Sequence, residues 1–345
     1  MKTTRVFLIW LLVLSCAVEF ASGQSRKSGA NAAAFLKVGV GARSIGMGSA
    51  VTSLSEDVTN MYWNPAGIAL SNDRMQVAFS YNAWIASIKQ NAVAASYNME
   101  NVGTFGIGVM TFGISGIRAD RDVYPNNPVL QAQQQDFATG DTYDYLDLVA
   151  QVTYARYVSD KLSLGATFKF INENIDDKNA STIAFDFGSL YHIGILNWNI
   201  GARINNLGGD IKFYDFAHPI PLTFSIGTSM TPISVDNHSF MVALDAVKPQ
   251  DGQQYFFTGL EYNFDQMVFL RAGWKYNYSY FGLTGNGIDE GSSLRSPLQT
   301  SLEKGSMGAG VRLVQGEYTF RVDYSYTVFQ TLDSVHRLSL HMSMK

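Results

Sequence analysis

Two segments near the end of the chain, EYTFRVDYSYTV (317–328) and RLSLHMSM (337–344), decide the fold. In both, every second residue is apolar or aromatic, and the residues between are polar or charged. The apolar set is Tyr318, Phe320, Val322, Tyr324, Tyr326, Val328, Leu338, Leu340, Met342 and Met344. Because neighbouring side chains on a strand point to opposite faces, both segments predict strands with one apolar and one polar face.

The same alternation recurs upstream and predicts about fourteen antiparallel strands in all. Their expected starts lie near residues 75, 88, 102, 143, 161, 181, 196, 222, 236, 253, 266, 306, 316 and 334. Short turns, such as 159–161 and 263–266, join some neighbours, whereas 116–141 and 280–304 are long loops. An even strand number with alternating short and long connections is typical of bacterial outer-membrane barrels.

The composition favours the same class of protein. Of 345 residues, 46% are hydrophobic, 13% aromatic and only 16% charged, with a mean hydropathy of -0.01. After the N-terminus there is no apolar run of about 18 residues, the length that a transmembrane helix requires. A soluble β-sandwich also alternates, but it buries its apolar faces against each other and seldom needs such long strands. The formal net charge of -4 gives no electrostatic reason to expect a nucleic-acid partner.

The N-terminus has the features of an export signal. Lys2 and Arg5 precede the apolar stretch 6–14, and small residues at 21–23 form a cleavage site. Residues 1–23 are therefore predicted to be a cleaved signal peptide rather than a retained anchor. Cys16, the only cysteine, is either lost with the signal, as we expect, or serves as a lipoprotein acceptor.

Residues 32–70 read AAAFLKVGVGARSIGMGSAVTSLSEDVTNMYWNPAGIAL, and this stretch resembles the opening of the PorV/PorQ family of outer-membrane proteins. That family is itself similar to the FadL long-chain fatty-acid transporters. The matching elements are Phe35-Leu36, Gly41-Ala42-Arg43, Met47-Gly48, Glu56-Asp57 and Tyr62-Trp63-Asn64-Pro65-Ala66-Gly67. One departure lies at the other end of the chain, which finishes in Met344-Lys345 rather than the aromatic residue of many outer-membrane barrels.

The resemblance implies an all-β, transmembrane antiparallel barrel with an N-terminal hatch inside the lumen. The division is then a signal peptide (1–23), a hatch segment (24–73) and the barrel (74–345). The sequences AAAFL and GARSIGMG are closer to PorV than to FadL. This likeness implies a non-enzymatic component of type IX protein secretion or surface attachment, with secretion-system proteins and exported cargo as partners. The alternative is a FadL-like transporter of long-chain fatty acids or other hydrophobic small molecules. In both cases the protein resides among the lipids of a Gram-negative outer membrane.

The residues taken as the family motif are Gly41, Arg43, Met47, Gly48, Asn64, Pro65, Ala66 and Gly67. Asn64 suits a helix cap, and Pro65 suits the first helical position, where no N–H is needed. NPAG is thus either the hatch element or a structural turn, and we expect packing rather than chemistry from it. The glycines at 39–48 do not match the spacing GxGxxG of a nucleotide-binding loop.

Charged residues on the polar faces would point into the lumen, where we expect them to pair across strands. They are Arg203, Asp245, Glu261, Arg271, Lys275, Arg312, Arg321, Asp323 and Arg337. The carboxylates of Glu56-Asp57 and Asp176-Asp177 lie in loop-like sequence and are expected to be solvated. The five histidines lack the spacing of metal ligands, and no GxSxG, HExxH or P-loop occurs. We therefore expect no catalytic, cofactor or metal site.

Overall fold

A computed structural model describes residues 31–55, 57–71, 73–119, 142–213, 215–252, 254–277, 303–329 and 332–345. The predicted signal peptide, Glu56, and most of the two predicted long loops lie outside these described residues. None of the helices within them is long and apolar enough to cross a membrane.

Fourteen antiparallel strands close into one barrel, as the alternation predicts. In chain order the strands are β1 (Met75–Ala83), β2 (Lys89–Met99), β3 (Gly103–Arg118), β4 (Thr142–Ser159), β5 (Leu162–Ile175), β6 (Lys178–His192), β7 (Asn199–Gly208), β8 (Ile211–Lys212), β9 (Ala217–His218), β10 (Thr223–Val235), β11 (His238–Pro249), β12 (Tyr255–Phe264), β13 (Val268–Asn277), β14 (Glu303–Gln315), β15 (Tyr318–Phe329) and β16 (Val335–Met344). Each barrel strand begins within 3 residues of its predicted start. β8 and β9 form a separate two-stranded sheet, and they are too short to show an alternating pattern.

The barrel closes where the first strand pairs with the last, from Met75 opposite Met344 to Ala83 opposite His336. The β2–β3, β4–β5 and β14–β15 connections are short turns. They lie at the end of the barrel where β1 begins and β16 ends. We call this the short-turn end. The opposite, long-loop end carries the β3–β4 and β13–β14 connections and the β8–β9 hairpin.

The two faces of each strand differ as expected. On β15, Phe320 is 42% exposed on the outside, whereas Asp323 and Ser325 face inward and are fully buried. β16 repeats the arrangement, with Leu340 outside and Ser339 inside. The outer wall is therefore apolar and the inner wall polar, and closure pairs the strand edges that an open sheet would leave free.

Residues 31–71, named here the luminal segment, lie inside this wall. They contain one short α-helix, α1 (Ala42–Gly46), and the 3-10 helices Ala34–Lys37, Val58–Tyr62 and Pro65–Leu70. A further 3-10 helix, Ile85–Ser87, connects β1 to β2. Helices of this length are unstable alone, so packing against the barrel holds them in place.

The luminal segment runs along the barrel from one end to the other. At the long-loop end, the backbone N–H of Ala33 donates to Glu173 at 2.9 Å. At the short-turn end, the Ser71 hydroxyl accepts from Gln76 on β1 at 2.6 Å. The chain then enters β1 directly.

Glycines on the inner wall allow the backbone of the luminal segment to approach closely. A Cβ added at Gly165 on β5 would lie 2.5 Å from the backbone nitrogen of Ala66. One added at Gly259 on β12 would lie 2.5 Å from the carbonyl oxygen of Met47. Any larger side chain at these positions must displace the segment, which explains why the polar faces contain glycine.

Candidate functional site

The motif residues Asn64–Gly67 join the luminal segment to one side of the wall. The Asn64 side chain accepts from the backbone N–H of Ala66 at 3.1 Å, and Pro65 occupies the first turn of the 3-10 helix. The same side chain donates to the carbonyl oxygens of Thr52 at 2.6 Å and Ser189 on β6 at 3.1 Å. All four motif residues are buried, and their helix packs on β4, β5 and β6.

The motif residues Gly41–Gly48 contact the other side of the wall, at β13–β16. Gly41 has φ 91 and precedes α1, and Met47 is fully buried in an apolar cluster with Trp63. Gly48 has φ 63, and its N–H donates to Ser306 on β14 at 3.2 Å. The eight motif residues therefore form two attachment points on different sides of the lumen rather than one cluster.

Arg43 is the one charged residue of the motif, and it forms an ion pair with the wall. Its Nε and Nη2 atoms each donate to Glu261 on β12 at 3.0 Å, a bidentate pair. Glu261 also accepts from Arg271 at 2.6 Å, and Arg271 donates to Asp323 at 2.7 Å. The charged side chain of the segment is thus continuous with ion pairs of the wall.

Asp57, a second residue of the luminal segment, joins the same set of ion pairs. Arg321 on β15 donates to Asp323 at 2.6 Å and pairs with Asp57. The resulting charge network has three cations and three carboxylates: Arg43, Arg271, Arg321, Asp57, Glu261 and Asp323. Equal numbers of opposite charges offset the cost of removing them from water.

The structure tests two of the predictions about charge. Pairing in the lumen is confirmed for Glu261, Arg271, Arg321 and Asp323, and also for Lys275, which pairs with Glu303 at 2.6 Å. It is not found among the described residues for the other four: Arg203, Asp245, Arg312 and Arg337. The expectation that Asp57 is solvated is wrong, because Asp57 is only 4% exposed. Burial alone would raise the pKa of its carboxyl, but His341, Arg321 and Arg43 outweigh burial and hold that pKa well below its usual range.

A cavity of about 490 Å³ lies on the long-loop side of the charge network. Residues 36–40, 62 and 63 of the luminal segment form its floor, and the inner faces of the strands form its walls. This volume falls within the roughly 300–1,000 Å³ of small-molecule sites. The space is large enough for a small aromatic ligand.

The two sides of the cavity differ in chemistry. One side is aromatic, and its residues are Trp84, Tyr255, Phe257 and Phe329, with Trp63 at the floor. The Trp84 and Phe329 rings meet edge to face at 5.6 Å. The other side, which we name the polar end, consists of Gln151 on β4, Lys169 on β5, and Asn205 and Asn206 on β7. Sequence reasoning did not identify these residues, although the doublet Asn205-Asn206 breaks the alternation of its strand and could have indicated a bulge.

Several solved structures share the fold of this chain, and they include channels and transporters of hydrophobic compounds. The chain is similar to the CymD monoaromatic hydrocarbon channel, with a TM-score of 0.58, 13% identity, and coverage of 89% of this chain and 98% of that one. It is also similar to the toluene transporter TbuX of Ralstonia pickettii (TM-score 0.54, 12% identity, 89% and 98% covered). A FadL homologue of Pseudomonas aeruginosa aligns over 94% of this chain and 99% of its own, with a TM-score of 0.50 and 12% identity. At this level of identity the likeness shows the fold alone.

The sequence comparisons are less specific. Residues 12–182, just under half of the chain, match the model of an uncharacterised protein family, UPF0164. A search among curated proteins finds no match. The FadL side of the predicted resemblance therefore has structural support, whereas membership of the PorV/PorQ family is not confirmed.

Proposed function

We propose that this protein is an outer-membrane channel that takes up hydrophobic small molecules, which is the alternative that the sequence left open. The observation that carries the proposal is the cavity between the luminal segment and the wall, one side of which is aromatic. The fold shared with monoaromatic hydrocarbon and toluene channels supports it. A role in type IX secretion, which the likeness of residues 32–70 to PorV favoured, has no support from these comparisons.

The outer wall supports the membrane location. Rows of exposed apolar side chains cover it, among them Phe168, Phe185, Phe224, Leu270, Phe320 and Leu340. Exposing such a surface to water would be unfavourable, whereas an apolar band on a closed barrel suits hydrocarbon. The predicted signal peptide would direct the chain to the cell envelope.

In the proposed pathway, a molecule enters the cavity from the long-loop end and binds against the aromatic side. The luminal segment lies between the cavity and the short-turn end, so passage requires the segment to move. It would then act as a hatch, with the charge network as its main attachment on the β12–β15 side. The proposal assigns no chemical step to any residue.

Uptake by cells tests the proposal. The full chain is expressed in a Gram-negative host, and entry of the hydrophobic dye N-phenyl-1-naphthylamine is followed by its fluorescence. Val149→Trp fills the cavity from a position that is 1% exposed, whereas Val152→Trp adds the same side chain to the outer wall, where Val152 is 54% exposed. We expect the wild type and the Val152 variant to accelerate dye entry and the Val149 variant to abolish the increase.

The electrophoretic mobility of the folded barrel controls for folding of both variants. If a folded Val149→Trp protein admits the dye as fast as the wild type, the cavity is not the route and the proposal fails.

A further inference from the structure

The polar end of the cavity contains an amide that has no hydrogen-bond partner. Gln151 lies in the cavity wall and is only 3% exposed, and neither its Nε2 nor its Oε1 has a partner among the described residues. Leaving both groups of a buried amide unpaired is unfavourable. The terminal torsion of glutamine is soft, so rotation about it can bring these covered atoms toward a molecule in the cavity.

The donors of Gln151's neighbours are already paired, although the Oδ1 of Asn205 has no partner among the described residues. Lys169 lies directly opposite it on β5, pairs with Asp186 at 2.6 Å and donates to Asn206 at 2.9 Å. Asn205 donates to Asp186 at 2.9 Å and to the carbonyl oxygen of Trp63 at 2.8 Å. Gln151 is therefore the member of the polar end whose donor and acceptor are both available.

A bulge in the wall builds this arrangement. Ile204 pairs with Phe187 and Leu207 with Phe185, so two residues of β7 lie opposite the single residue Asp186. Asn206 has φ 61, and both asparagines are buried on the inner side. Bulges re-aim side chains next to functional sites, and this one brings two successive amides to the cavity.

The charges around the cavity argue against an ionic ligand. Its four cations are Lys37, Lys169, Arg203 and Lys275. Lys37 pairs with Asp251, Lys169 with Asp186 and Lys275 with Glu303. Arg203 donates to the Thr52 hydroxyl at 3.0 Å and lies over the Trp63 ring, while the backbone N–H of the same Thr52 donates to Asp245 at 2.9 Å. Three of the four cations are thus already neutralised by a carboxylate, and one of these carboxylates, Glu303, itself lines the cavity.

We propose that the cavity binds an uncharged amphipathic molecule whose head group both donates and accepts a hydrogen bond, such as a phenol, alcohol or amide. The head pairs with the Gln151 amide, and the apolar body lies against the aromatic side across the lumen. A carboxylate would satisfy only Nε2, and a plain hydrocarbon would satisfy neither atom. This inference rests on the proposed uptake function and specifies its substrate class.

Three probes with one body and different ends test the inference: 4-propylphenol, propylbenzene and 4-propylbenzoate. Their binding to the purified full chain in detergent is measured by titration calorimetry. We expect the phenol to bind about tenfold more tightly than the hydrocarbon, the ratio that corresponds to one net hydrogen bond. The benzoate should bind more weakly than the phenol.

Gln151→Met keeps the size of the side chain but removes both polar atoms. In this variant the phenol should lose its advantage, while the affinity for propylbenzene stays within about twofold, because the aromatic side is unchanged. Binding of propylbenzene also shows that the variant is folded. The comparison of the three probes on the wild-type protein tests the head group without any variant.

The outcomes separate the two proposals. Equal affinity for phenol and hydrocarbon, or tighter binding of the benzoate, would overturn the neutral head group but leave uptake of hydrophobic molecules intact. Retention of the phenol preference in Gln151→Met would overturn the role of Gln151. Absence of binding by all three probes, together with no dye uptake in cells, would contradict the proposed function itself.

Discussion

Removing the charge of Glu261 should release the luminal segment from the wall. Two nitrogens of Arg43, Nε and Nη2, donate to this carboxylate, and Arg43 has no other ion pair within the described residues. Glu261→Gln keeps the shape and an acceptor oxygen but leaves the arginine without an ionised partner. Arg271, the other partner, still has Asp323, so its loss is smaller.

The expected magnitude follows from burial. Breaking a buried ion pair by removing one partner costs about 3–5 kcal/mol. The Arg43 side chain is 17% exposed to solvent. The lower end of that range, about 3 kcal/mol, therefore applies. We assume that Arg43 becomes hydrated when the luminal segment detaches from the wall. The equilibrium constant for detachment then rises about 100-fold, because about 1.4 kcal/mol corresponds to a factor of ten.

A single buried thiol reports this opening. Ser53 of the luminal segment is fully buried, and Cys16 is the only cysteine in the sequence. In a Cys16→Ser, Ser53→Cys background, the rate of maleimide labelling measures the population of detached segment when reclosing is fast. We expect Glu261→Gln to raise that rate about 100-fold.

Two controls make the result specific. Glu303→Gln removes a wall-to-wall pair, Lys275–Glu303, whose side chains are 15% and 14% exposed, and it should change labelling by no more than a few-fold. Adding Arg43→Met to Glu261→Gln removes the unpaired charge and should return the rate toward the parent. A labelling rate for Glu261→Gln within twofold of the parent, or a double variant as fast as the single one, would refute the reasoning.

Two further predictions concern the wall. Gly165→Val places a side chain where the backbone of Ala66 lies and should destabilise the packed segment by about 1–3 kcal/mol, seen as faster proteolysis of the luminal segment, whereas Ala166→Val on the outer face should not. Equal proteolysis of the two variants would contradict the close approach. Val322→Arg, in the middle of the outer face of β15, should cost about 2–4 kcal/mol in refolding into lipid vesicles, whereas Tyr318→Arg at the end of the strand should cost about 0–1 kcal/mol. Equal costs at the two depths would argue against a membrane around this wall.

Local pattern was sufficient to predict the wall. A period of two is a property of neighbouring residues, so alternation such as that of 317–328 indicates both the strand and the face that turns outward. The same holds for the Asn64 cap, whose acceptor and donor are two residues apart. Fourteen strand starts could be predicted for this reason, and the two-residue strands of the β8–β9 hairpin could not.

The contents of the lumen depend on pairs that are distant in the chain. Arg43 and Glu261 are 218 residues apart, and Arg321 and Asp57 are 264 apart, so no local pattern indicates that they meet. Asp57 looked like a solvated loop residue because its neighbours are polar, and only closure of the barrel around the segment buries it. Gln151 looked like any inward-facing polar residue, because an unpaired amide is recognised only when every surrounding strand is in place. Alternation therefore specifies which side of a strand faces the lumen, whereas barrel closure and strand register determine which inward side chains meet and which remain available to a ligand.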